Sequence, residues 1–129
     1  MELNAKVALI TGGGTGLGRE IARQLGQAGM HVAFSYARSK VEAEETLREL
    51  RELGVQAQAF QTDLNSATAV ADIKQLVDSV AQSWGRLDLV INNAGVTKAV
   101  PFTDLEGLEE ADWDYVLQVN TKALSLIHI

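Results

Sequence analysis

Three times along this chain an amphipathic segment ends at a glycine and an apolar run begins one or two residues later. "KVALI" (6–10) is apolar without interruption, as a strand buried on both faces would be. Leu17, Ile21, Leu25 and Ala28 then recur at helical spacing, and Gly29 ends that helix. "HVAFSY" (31–36) reads as the second strand, and residues 40–53 as a charged helix with Val41, Leu47 and Leu50 on its apolar side, closed by Gly54. "VQAQAF" (55–60) is the third strand. Val70, Ile73, Val77, Val80 and Trp84 mark a third helix closed by Gly85, and "LDLVI" (87–91) is the fourth strand. This β-α-β-α-β-α-β order requires a parallel sheet with right-handed crossovers. "VALI" and "LVI" are predicted to be central, whereas "VQAQAF" alternates with glutamine as an edge strand does. The order 3-2-1-4 fits these differences, and it is the first half of a doubly wound α/β sheet.

Composition narrows the partners. At 129 residues the chain is expected to form one domain, 1–129, with a real core. No apolar run reaches the roughly 18 residues of a membrane span. "MELNAKVALI" enters its first strand too soon for a targeting peptide, so a cytoplasmic protein is expected. Cysteine is absent, which excludes disulfides, thiolate zinc sites and a cysteine nucleophile. A net charge of −6 argues against nucleic-acid and anionic-membrane partners.

The stretch "LITGGGTGLGREIA" (9–22) places five glycines within positions 12–18, between the first strand and the first helix. A helix N-terminus offers unpaired N–H groups and the positive end of a dipole, and glycines let an anion approach the backbone. The spacing Gly12, Gly16, Gly18 is T-G-x-x-x-G-x-G, distinct from G-x-G-x-x-G, and the lysine of a P-loop is missing. On the residues alone, a phosphate cradle and a turn that merely packs helix on strand both stand open.

"TGGGTGLG" (11–18), "NNAG" (92–95) and "WDYVLQVN" (113–120) together resemble the short-chain dehydrogenase/reductase family, in the family's order and over nearly the whole chain. The resemblance implies a Rossmann-type sheet, here truncated after the fourth strand and fourth helix. It also implies a nicotinamide dinucleotide cofactor and hydride exchange with a small-molecule carbonyl or alcohol. Gly12, Gly16 and Gly18 match the glycine motif, with Gly14 and Thr15 inside the turn and Leu17 near the pyrophosphate. Asp63, followed by Leu64, matches the adenine-contacting aspartate. Asn92, Ala94 and Gly95 match the motif that braces the sheet and lines the cofactor cleft. Read without the family, Asp63 is equally an N-cap for the next helix, and "NNAG" equally a plain turn. All three sites nevertheless fall at carboxyl ends of strands, where such sheets bind ligands.

The end of the second strand chooses between cofactors. Enzymes that take NADH place an acidic residue there for the ribose 2′-hydroxyl. Here the segment is "FSYARSK": Tyr36 stands where the carboxylate would be, and Arg38, Ser39 and Lys40 follow. A guanidinium and a hydroxyl suit a 2′-phosphate, so NADP(H) is expected over NAD(H). The segment is similar to that of 3-oxoacyl-carrier-protein reductases.

For the chemistry, the resemblance implies a tyrosine acid, a lysine four residues on, a serine and a relay asparagine. Asn120 matches the asparagine; its plain reading is a helix-start residue. The family's serine, tyrosine and lysine fall beyond Asn120, and the sequence ends at Ile129. Tyr36 and Lys40 do form a Tyr-x-x-x-Lys, but at the adenine end of the cofactor, while Tyr115 has Val119 at the fourth position. His31 heads a strand and His128 lies in the last residues, neither with a partner that would make it a base; Trp113 reads as a packing residue. The expectation is a cofactor half-site with one catalytic residue, Asn120, inactive by itself and taken from the front of a longer reductase. "LSLIHI" (124–129) resembles translated adaptor sequence, and the fourth strand is expected to be left as an apolar edge. The complete form is expected to be a homotetramer or homodimer. The competing expectation is a non-catalytic NADP(H)-binding module, or a half-sheet that needs a partner chain. A flavodoxin-like signalling domain would need an acidic cluster after the first strand, which ends in Thr-Gly.

Overall fold

A computed structural model describes residues 2–127; His128 and Ile129, with the end of "LSLIHI", lie outside the described residues, as does Met1. The strands are β1 (Val7–Thr11), β2 (His31–Tyr36), β3 (Ala57–Gln61) and β4 (Leu89–Asn92), and the sheet order is β3-β2-β1-β4. All three pairings are parallel: Leu9 lies opposite Ala33 and Val90, and Phe34 opposite Ala59. Helices α1 (Gly16–Gln27), α2 (Lys40–Glu52) and α3 (Ala69–Trp84) supply the crossovers.

Successive residues of β1 serve opposite faces, as the two-residue period of a strand requires. Ile10, with Val32 and Phe34, packs against Ala22 of α1 and Ala43 and Leu50 of α2. Val7 and Leu9, with Ala33, pack against Leu76 and Val80 of α3. Every residue of β1 is buried, which is why this stretch is apolar without alternation. β4 has only β1 beside it among the described residues, and Leu89, Val90 and Ile91 are half-exposed. The apolar "LVI" is therefore the apolar edge expected of a sheet that stops after its fourth strand, although its composition alone suits a central strand.

The predicted helical faces pack on the core at Ile21, Leu25, Leu47, Leu50, Ile73, Val77, Val80 and Trp84, but single positions in each helix differ. In α1 the buried positions are Gly18, Ala22 and Gly26, a stripe of small residues; Leu17 is 70% exposed and Ala28 is exposed. Gly18 is pinned beneath the turn that precedes the helix, and Leu17 stands about 100° around the axis from it. In α2 the inward set is Ala43, Thr46 and Leu50, which turns Val41 outward; in α3 it is Ala69, Ile73, Leu76 and Val80, which leaves Val70 outside. β3 and β4 begin two residues later than their sequence patterns suggest. The Gln56 N–H goes to His31 Nδ1 (3.2 Å), and Asp88 is held by β1 through its N–H to Val7 O (2.9 Å) and through Oδ2, which accepts the Val7 N–H (2.9 Å).

After β4 the chain runs irregularly to α4 (Glu110–Leu117), passes through a π turn at Gln118–Lys122, and ends in α5 (Ala123–Leu126). Val119, Ala123 and Ile127 pack with Leu64 and Ile73, so the short last helix leans on α3. No residue of α4 is buried, and Trp113 is 60% exposed; it is not the packing residue its type suggests. Asn120 is likewise not at a helix start but in the middle of the π turn. No helix among the described residues is long and apolar enough to cross a membrane.

Candidate functional site

The carboxyl ends of β1, β2 and β3 and the segment after β4 open on one cavity of about 500 Å³. Such a volume suits a small-molecule or cofactor pocket. Its base is a set of hydrogen bonds around the end of β1. Thr11 is fully buried, and its Oγ1 accepts the N–H groups of Asn93 (3.2 Å) and Ala94 (3.1 Å). Asn93 Nδ2 donates to the carbonyls of Thr11 and Gly12, each at 3.1 Å. From β2, Ser35 accepts the Gly12 N–H at Oγ (3.3 Å) and the Gly13 N–H at its carbonyl (3.1 Å). From α2, Thr46 Oγ1 donates to Gly14 O (2.9 Å). The glycine turn is thus tied to β2, β4 and α2 at successive residues.

Two glycines show what the turn is shaped for. A Cβ on Gly18 would overlap the Gly12 carbonyl oxygen and stand 2.5 Å from Asn93 Nδ2, so only glycine lets α1 start this close to the turn. Gly16 has φ +53° and nothing within 4 Å of where a Cβ would be, an open position at the mouth of the helix. The first turn of α1 carries no acidic residue, and Thr15 makes no side-chain cap. The first hydrogen bond of the helix runs from Arg19 N–H to Thr15 O (3.1 Å), so the amides of Gly16, Leu17 and Gly18 have no intrahelical partner. This arrangement fits a phosphate group.

The sequence-predicted residues fall in two groups. Gly12, Gly14, Thr15, Gly16, Leu17, Arg38, Ser39, Asp63, Leu64, Ala94 and Gly95 line the cavity. Gly18, Asn92 and Asn120 do not. Gly18 lies beneath the turn, and Asn92 sits exposed at the end of β4 while its neighbour Asn93 makes the bracing bonds. Asn120 makes a two-point amide contact with Val96: Oδ1 accepts its N–H and Nδ2 donates to its carbonyl, both at 2.8 Å. The N-cap alternative for Asp63 does not hold. α3 starts at Ala69 after Thr68, and Asp63 Oδ1 instead accepts the Asn65 N–H (2.9 Å) in a local turn.

Among the described residues Arg38 forms no ion pair, whereas Lys40 turns away to Glu44 (3.9 Å). Tyr36 lines the cavity at the end of β2, so the Tyr36–Lys40 spacing does not form an acid–base pair. His31 lies at the opposite end of β2, stacked on Trp84 with ring centroids 6.4 Å apart. The displaced carboxyls also lie outside the cavity. Arg23, helped by Gln24, lowers Glu20 to about 2, and Arg86, with the Val7 N–H, lowers Asp88 to about 2. Sequence reasoning missed Thr11, Ser35, Asn93 and Tyr115. Only the asparagine doublet "NN" carried a signal, and it did not say which asparagine turns inward.

The model of the short chain dehydrogenase family matches residues 6–128. The chain belongs to this family. It is 42% identical over 120 residues to the short-chain dehydrogenase/reductase GME11373 of Pestalotiopsis microspora, covering 93% of this chain and 43% of that protein. It is 37% identical over 110 residues to the short-chain dehydrogenase/reductase homolog YusS of Bacillus subtilis, covering 85% of this chain and 98% of that protein. Among solved structures, a short chain dehydrogenase from Burkholderia cenocepacia in complex with NADP matches with a TM-score of 0.89 and 35% identity, over 98% of this chain and 49% of that one. The chain therefore spans about half the length of the fungal relative and of the solved structure, but nearly all of the Bacillus homolog.

Proposed function

We propose that this short-chain dehydrogenase chain is the cofactor-binding part of an NADP(H)-dependent oxidoreductase acting on a small carbonyl or alcohol. The observation that carries the reading is the open, uncapped start of α1 at the glycine turn, facing the same cavity as Arg38. The amides of Gly16 and Leu17 receive the pyrophosphate, with Gly12, Gly14 and Thr15 shaping the turn. Arg38 and Ser39 take the ribose 2′-phosphate, and no carboxylate in "FSYARSK" repels it. Asp63 and Leu64 lie at the adenine end; Ala94 and Gly95, held by Asn93 and Thr11, line the middle of the cleft. When bound, the nicotinamide supplies or accepts a hydride. Asn120 holds the segment after β4 in register through Val96, and it is the one residue of the family's relay in this sequence. By itself the 129-residue chain binds cofactor without turnover. The similarity of residues 36–39 to 3-oxoacyl-carrier-protein reductases favours a 3-oxoacyl group as the substrate of the complete enzyme, which assembles as a homotetramer or homodimer.

A second reading is favoured by one observation: the chain covers 98% of the Bacillus homolog. On this reading the chain serves as a non-catalytic NADP(H)-binding module, or as a half-sheet that needs a partner chain. Both readings require the same half-site. Titration of the unsubstituted chain and Arg38→Ala with NADPH and NADH tests it. Loss of a charge-assisted contact lowers the preference for NADPH about tenfold; an unchanged ratio refutes the assignment of Arg38.

A further inference from the structure

Tyr115 has no role in the half-site as described so far. It is half-buried, lines the cavity, and packs against the cluster that holds Leu64 and Val119. It packs α4 on that cluster without being fully buried, and the rest of its side chain lines the cavity. The helix is also held beside the cavity by polar ties from the π turn. Gln118 Nε2 donates to Leu64 O (3.2 Å), and Asn120 grips Val96 at two points. These ties hold Tyr115 in the cavity wall that also includes Leu64, the residue that follows Asp63. The cavity lining then brings together the cationic and hydroxylic side chains of Arg38 and Ser39 and the aromatic and aliphatic surfaces of Tyr115 and Leu64.

We propose that Tyr115 forms an aromatic wall of the adenine subsite, giving the purine base a π surface to lie against. This rests on the NADP(H) reading above. A flat apolar wall suits a heteroaromatic ring and not a phosphate or sugar, and base–aromatic stacking is a recurrent source of affinity.

The test uses adenosine 2′,5′-bisphosphate, the adenine half of the cofactor, titrated calorimetrically into the unsubstituted chain, Tyr115→Leu and Tyr115→Phe. Leucine keeps the packing bulk and removes the ring. The expected result is about tenfold weaker binding to Tyr115→Leu, with Tyr115→Phe within about twofold. The chain has two tyrosines, so the ring protons of Tyr115 are assigned by their loss in Tyr115→Phe. In the unsubstituted chain they shift upfield on saturation with the ligand. That shift decides the matter if the leucine variant does not fold. Undiminished binding to Tyr115→Leu overturns the assignment and leaves the cofactor reading standing. So does weaker binding without a ring shift, which makes Tyr115 a structural residue, and so does a Tyr115→Phe variant as weak as the leucine one. Failure of the unsubstituted chain to bind either this ligand or NADPH overturns both.

Discussion

Replacing Thr11 with valine removes one oxygen from the centre of the site and almost no volume. Thr11 is fully buried, and its Oγ1 is the acceptor for two backbone N–H groups, those of Asn93 at 3.2 Å and Ala94 at 3.1 Å. In Thr11→Val both donors lose their acceptor. A buried unsatisfied donor costs about 1–3 kcal/mol, and these two are only partly buried, so about 1 kcal/mol each is the appropriate figure. The total is about 2 kcal/mol. Thr11→Ser keeps the oxygen and loses one methyl group, about 1 kcal/mol. Urea unfolding followed by the fluorescence of Trp84, half-buried against α3's face of the sheet, measures the difference. With a slope of about 1.5 kcal/mol per molar urea, Thr11→Val lowers the midpoint by about 1.3 M and Thr11→Ser by about half of that. NADPH affinity separates the two further. Thr11 Oγ1 fixes the Asn93 and Ala94 amides where this backbone lines the cavity, so valine weakens binding about tenfold and serine hardly at all. A Thr11→Val variant as stable as the unsubstituted chain, with unchanged affinity, would show that the bonds to Thr11 do not organise the site.

Gly18→Ala places a methyl group on the Gly12 carbonyl and against Asn93, where backbone must move, so a loss of about 3 kcal/mol and of NADPH binding is expected in the same two assays. The helix faces make a paired prediction: Leu50→Ala costs about 3 kcal/mol, whereas Val41→Ser stays within about 0.5 kcal/mol despite the equal apolar look of the two positions. Asp88 predicts a pH effect. Its carboxyl is held at about 2 against an ordinary 3.8, first by Arg86 and then by the Val7 N–H, so it binds a proton more readily unfolded than folded. Its contribution is complete above the ordinary value and disappears as pH falls from there toward 2. Melting temperatures measured from pH 6 to pH 2 therefore fall less steeply for Asp88→Asn than for the unsubstituted chain.

The sheet was legible because its information is local. The glutamines of "VQAQAF" mark β3 as an edge, and the glycines at 29, 54 and 85 stop each helix at the right place. The helix faces were less legible, since they are set by contacts far away in sequence. α1 is rotated by the contact of Gly18 with Gly12 and Asn93, which turns a stripe of glycine and alanine inward and leaves Leu17 outside. A periodicity argument weighs leucine above glycine, so it finds Ile21 and Leu25, which pack on the core, but adds Leu17 and passes over Gly18 and Gly26. In the site, the glycine turn and the second strand's end announced themselves, but Asn92 and Asn93 are the same residue type and only the pleat at the end of β4 separates them. Asn120 was legible as a residue and not as a geometry, because the π turn is held by Val96, which lies 24 positions away. Tyr115 gave no signal at all. Its place in the cavity wall depends on contacts far away in sequence, its packing on the cluster of Leu64 and Ile73 and the bond of Gln118 to the carbonyl of Leu64 across 54 positions.

The central claim is that these residues form a phosphate-recognising dinucleotide half-site at the carboxyl edge of the sheet, and its most direct test is calorimetric titration of the unsubstituted chain with NADPH and, separately, NADH. The account predicts saturable one-to-one binding of NADPH, at least about tenfold tighter than NADH. Equal affinity for both, or no binding by a chain that melts cooperatively, would contradict it.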